Sequence, residues 1–123
     1  MVSYSFVVPI VPGKTDLVKR FERDNSVHTK EHDEFYKAAG ILREQSWIQL
    51  GPQGNSQGIP DVEIVNLEVE DPVKMFIEFS TSTLPWAVKF RQFAKEAYGV
   101  DMESSQDMPP LNEIVVDWED ERE

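Results

Sequence analysis

Twice along this chain an alternating apolar segment gives way to a helical period and then returns to alternation. That order constrains the fold more than any single residue does. In residues 4–11, YSFVVPIV, Tyr4, Phe6, Val8 and Ile10 share one face of a strand, and Ser5, Val7, Pro9 and Val11 the other. Pro9 cannot donate to a ladder, so it belongs near a strand end, and Pro12-Gly13 turns the chain. From Asp16 to Ala39 the period changes. Leu17, Phe21, Asn25, His28, His32, Phe35 and Ala39 fall on one stripe, with Val18 and Tyr36 at its edge and mostly charged residues opposite. This predicts an amphipathic helix, kinked or interrupted at Asn25-Ser26 and ended by Gly40.

Residues 41–50 alternate again, with Leu42, Glu44, Ser46, Ile48 and Leu50 on one face and Ile41, Arg43, Gln45, Trp47 and Gln49 on the other. The glycine- and proline-rich stretch 51–60 reads as a loop. Residues 62–69 form a third strand, in which Val65, Leu67 and Val69 alternate with Ile64, Asn66 and Glu68. Asp71-Pro72 is a helix start, an acidic N-cap followed by proline at the first helical position. The STSTLP stretch interrupts that helix, Pro85 restarts it through Tyr98, and Gly99 closes it. After a connector, residues 113–118, EIVVDW, read as a fourth strand. The chain is thus expected to be one α+β domain over 1–118, followed by an acidic tail at 119–123.

The order βαββαβ, with right-handed crossovers, predicts the ferredoxin-like topology: a four-stranded antiparallel sheet with both helices on one face. The uncovered face is too apolar for water, since Val7, Val11, Ile41, Trp47, Val62 and Ile64 lie on it. A homodimer, sheet against sheet in a dimeric α+β barrel, is the economical solution. Arg43, Gln45, Trp47, Gln49 and Glu68 are the candidate interface residues, because Trp and Arg concentrate at such surfaces.

The stretches VVPIVPGKTDLVKRF, LREQSWIQLGPQG, LEVEDP, LPWAVKFRQFAKEAYGVDM and PPLNEIVVDW occur in this order. As a set they resemble an uncharacterised family of small bacterial proteins related to the dimeric α+β-barrel superfamily. The resemblance runs from Phe6 to Trp118 and implies fold and dimerisation, with no catalytic residues to carry over. More distant members of that superfamily include haem-degrading and cofactor-free oxygenases.

His28 and His32, the only histidines, stand on the apolar stripe and are expected to face the sheet. His32 lies about 10 Å down the helix from Ala39, and Glu44 about 13 Å along the strand from Gly40, so the two come roughly level. The expected site is a polar pocket of Asn25, His28, His32, Glu44 and Ser46 between the first helix and the sheet. Three roles stay open for it: a structural hydrogen-bond network, a small-ligand site, or a small enzyme's site with a histidine as general base. A two-histidine, one-carboxylate metal site of His28, His32 and Glu44 is a weaker form of the last. The spacing HTKEH is not the zinc-protease pattern, and no organic cofactor is implied.

The charge narrows the partners. The net charge is −11, of which DWEDERE at the C-terminus supplies −4, and no basic stripe exists. Nucleic acid is therefore an unsuitable partner. The absence of cysteine excludes thiolate chemistry, and no apolar run approaches a membrane span. A cytoplasmic protein is expected.

Overall fold

A computed structural model describes residues 1–25, 29–52, 58–103 and 111–121. It is an α+β structure: β1 (Val2–Pro9), α1 (Thr15–Asn25), α2 (Lys30–Ala38), β2 (Ile41–Gln49), β3 (Val62–Val69), α3 (Pro72–Thr81) and α4 (Pro85–Tyr98). The three strands form an antiparallel sheet in the order β1-β3-β2. The chain therefore leaves β1, crosses over through α1 and α2, and returns two places away, with β3 filling the gap.

Local chemistry sets the boundaries. Pro9 is the last residue of β1. Asp71 accepts from the backbone amides of Val73 and Lys74, and Pro72 follows it at the first helical position. Gly40 and Gly99 adopt φ of 72° and 70°, the left-handed conformation that ends a helix without a Cβ penalty. The helical stretch expected over 16–39, kinked or interrupted at Asn25-Ser26, is two helices, the first ending at Asn25. Thr29 caps the second by accepting from the His32 amide, and residues 26–28 lie outside the described residues.

All four helices cover one face of the sheet. Tyr4, Val65, Leu67 and Val69 point into a core shared with Phe35 and Ala39 of α2, Met75 of α3, and Trp86 and Ala87 of α4. A second cluster joins Ile10, Val18, Phe93 and Ala97. Aromatic packing ties them together, Phe21 stacking on Phe93 at 4.0 Å and Phe35 on Trp86 at 5.3 Å. Burying a side chain of this size contributes roughly 2 kcal/mol. Arg91 fixes the α3–α4 corner by donating to the carbonyls of Phe79 and Ser82.

Two sequence expectations need correction. In β2 the ladder shifts between Ile41 and Arg43, so Ile41 is buried and Leu42 exposed, the reverse of simple alternation. A bulge adds one residue to a strand and flips the parity before it. Residues 113–118, expected as a fourth strand, join no ladder among the described residues, and Ile114, Val115, Val116 and Trp118 are exposed. Among the described residues the segment is tied to the open edge of β1 by Asn112, whose side chain accepts from the Ser5 amide at 2.7 Å and donates to the Ser5 carbonyl at 2.8 Å. A side-chain amide thereby occupies the main-chain groups that a neighbouring strand would use there.

Candidate functional site

The helix-facing side of β2 and β3 is not wholly apolar. Parity directs Glu44, Ser46 and Ile48 of β2 toward the helices, and Glu63 with Val65, Leu67 and Val69 of β3. Two tyrosines meet the carboxylates. The Tyr36 hydroxyl of α2 donates to Glu44 Oε1 at 2.7 Å, and the Tyr98 hydroxyl of α4 donates to Glu63 Oε1 at 2.8 Å. Ser46 Oγ donates to Glu44 Oε2 at 3.2 Å.

An open cleft of about 450 Å³ lies over these groups. Lys19 and Glu22 of α1 line it on one side, and Glu44, Ser46, Trp47, Ile48 and Glu63 on the other. Trp47 reaches only its rim, since its side chain alternates to the opposite sheet face and stands across from Ile64. A smaller cavity of about 210 Å³ adjoins at the start of β2, lined by His32, Asp33, Tyr36, Lys37, Ile41, Leu42, Arg43 and Glu44. Glu44 belongs to both.

Burial sets the proton affinities. Glu63 is 6 % exposed, and burial raises its carboxyl above the usual range. The Tyr98 hydrogen bond opposes that rise, and the charge of Glu44 adds to it. Burial, then the neighbouring carboxylates, likewise raise the hydroxyls of Tyr36 and Tyr98, so both stay protonated and act as donors.

The structure distributes the expected site residues unevenly. Glu44 and Ser46 are hydrogen-bonded to one another and line the larger cleft. His32 shares the smaller cavity with Glu44. It is 4 % exposed, packed 3.8 Å from the Tyr36 ring with the Trp86 ring edge-on at 5.3 Å, and its Nδ1 lies 3.0 Å from Asp33 Oδ1. Asn25 contributes its main-chain carbonyl, which accepts from the Trp86 indole, and does not line either cavity. His28 lies outside the described residues. Among the described residues no cluster of three or more histidine or carboxylate side chains is placed to hold a metal ion.

Sequence reasoning passed over Glu63, Tyr98 and Glu22. The signal for Glu63 was present, because it shares parity with Val65, Leu67 and Val69. Tyr98 closes its helix next to Gly99, and nothing local marks it as a partner for a carboxylate.

The interface candidates lie on the other face of the sheet. The register sets Val7, Ile64 and Trp47 in one cross-strand row, Ser5, Asn66 and Gln45 in the next, and Ser3, Glu68 and Arg43 beyond. Gln49 stands across from Val62. Val7 is 59 % exposed and Trp47 50 %.

The chain matches no family model, no curated protein and no solved structure. Among the described residues no helix is long and apolar enough to cross a membrane.

Proposed function

We propose that this chain is a small-ligand-binding module that works as a homodimer of ferredoxin-like subunits, its ligand entering the cleft between α1 and the sheet. One observation carries the binding reading. Two carboxylates on the covered face of the sheet, Glu63 buried and Glu44 half-buried, are held from the helix side by tyrosine hydroxyls and line an open cleft that Lys19 and Glu22 also line. A core built only for stability places apolar groups there, because buried carboxylates are costly to desolvate. The cleft's volume also falls within the range of small-molecule sites.

The dimeric barrel is supported by the uncovered face. An apolar row of Val7, Ile64 and Trp47 lies exposed or half-exposed, and Ile114, Val115, Val116 and Trp118 are exposed as well. Asn112 holds that segment at the free edge of β1, the position a fourth strand takes in the ferredoxin-like order. The resemblance to the uncharacterised bacterial family implies the same fold and dimerisation and is silent on a ligand.

An enzymatic reading has one specific observation in its favour. Glu63 keeps its proton above the usual carboxylate range inside a cleft, as general acids and bases do. In this reading the proton carrier is Glu63, and His32 is packing.

Binding is tested by screening metabolite-sized compounds against ¹⁵N-labelled protein. Hits are expected to move amide signals of α1, β2 and Glu63. Hits that move only signals elsewhere in the chain overturn the reading. Product analysis of any hit separates turnover from binding, and light scattering of the wild type tests the dimer.

A further inference from the structure

We propose that the cleft takes a small aliphatic diamine, with one ammonium group on Glu63 and the chain running along β2 toward Glu44. This rests on the ligand-binding reading above and names its ligand class. Glu63 is nine-tenths buried and only half satisfied. Tyr98 donates to one of its oxygens, and no described residue bonds the other. Among the described residues no sealed side-chain oxygen or nitrogen lacks a partner, so the second oxygen opens to the cleft that Glu63 lines. A carboxylate desolvated this far and facing a cavity is complemented best by a donor carrying positive charge.

The geometry favours an elongated cation over a metal ion. Glu63 stands across from Ile48 and Glu44 across from Leu67, four residues apart on β2, or about 13 Å between the main-chain positions. Between them lies the Ser46 hydroxyl, and the Ile48 side chain, level with Glu63, adds an apolar wall suited to a methylene chain. The charges agree: among the described lining residues Glu22, Glu44 and Glu63 outnumber one base, Lys19, and a lining of that sign favours cations over anions.

The test titrates ¹⁵N-labelled full-length protein with 1,4-diaminobutane, 1,4-butanediol, succinate and magnesium chloride at matched ionic strength. The diamine is expected to shift signals of Glu22, Ser46 and Glu63, with the diol, succinate and magnesium far weaker. Glu63→Gln and Glu44→Gln are each expected to weaken diamine binding at least tenfold, while Glu119→Gln in the exposed tail leaves it unchanged. Folding of the variants is verified from their spectra, and both keep a carbonyl oxygen for the tyrosine donor. Equal response to magnesium, or full affinity in Glu63→Gln, overturns the proposal. Cleft shifts with the diol or succinate but not the diamine overturn the diamine and leave the binding reading standing. A cleft that responds to none of the four also overturns the diamine, and the wider screen then decides the binding reading.

Discussion

The Tyr98 hydroxyl donates to Glu63 across 35 positions of sequence, joining the last residue of α4 to the buried side of β3. Burial raises Glu63 above its unfolded-chain value. The folded protein therefore holds that proton more tightly than the unfolded chain does. The resulting stability is fully present below the unfolded carboxylate range and is lost as pH rises through the folded value. Glu63→Gln removes the titration and keeps an acceptor for Tyr98. It is expected to be more stable than wild type by a few degrees in Tm at pH 7.5, with the difference vanishing toward pH 4. Thermal unfolding of both proteins from pH 4 to 8 checks this, and a constant difference across the range contradicts it.

Asp61 behaves in the opposite sense. The Thr15 hydroxyl donates to it at 2.6 Å and the Gly51 amide at 2.7 Å, and these bonds hold its carboxyl below the usual range. Its contribution is present above the unfolded value and is lost as pH falls through the folded one. The bonds join both ends of the 51–61 connection to the start of α1. Asp61→Ala is expected to speed exchange of the Gly51 amide at pH 7 while leaving the Val65 and Leu67 amides protected. Unchanged exchange at Gly51 counts against the bond.

His32 is expected to matter for packing. It fills a space between the Tyr36 and Trp86 rings and is almost fully buried. His32→Ala leaves a cavity there, and a loss of about 2 kcal/mol is expected in urea unfolding. Ligand binding in the larger cleft, which His32 does not line, should persist. A variant of native stability that no longer binds ligands would move His32 from the core to the site.

Much of this arrangement is legible from period and punctuation. The faces of β1 and β3, the Asp71-Pro72 start and the glycines after α2 and α4 follow from local rules, because each depends on a residue and its near neighbours. Alternation also sends Glu44 and Ser46 toward the helices. The bulge at Leu42 was not legible, since it depends on how β2 meets β3. The fourth strand failed for a related reason. EIVVDW has the alternation of a strand, but a strand needs an edge to pair with, and Asn112 already bonds both main-chain groups of Ser5 on the edge it approaches. The site was half legible. Carboxylates announce themselves by parity, whereas Tyr36 and Tyr98, which orient them, lie 8 and 35 positions away.

The uncovered sheet face gives the sharpest prediction about assembly. Trp47 stands across from Ile64, which stands across from Val7, so the row crosses all three strands. Such a row, together with the exposed Ile114, Val115, Val116 and Trp118, is more apolar surface than a small monomer leaves in water. In a two-fold assembly each copy would cover the other's row, and a charge at its edge would be buried twice. Trp47→Glu is expected to convert a dimer of the wild type into a monomer, read by light scattering coupled to size exclusion. Glu96→Gln, an exposed change on α4, should leave the dimer intact. Unfolding of the Trp47→Glu monomer should stay cooperative, because Trp47 is absent from both core clusters. A wild-type protein that is monomeric at every concentration tested removes the dimer, and with it the explanation for the exposed row.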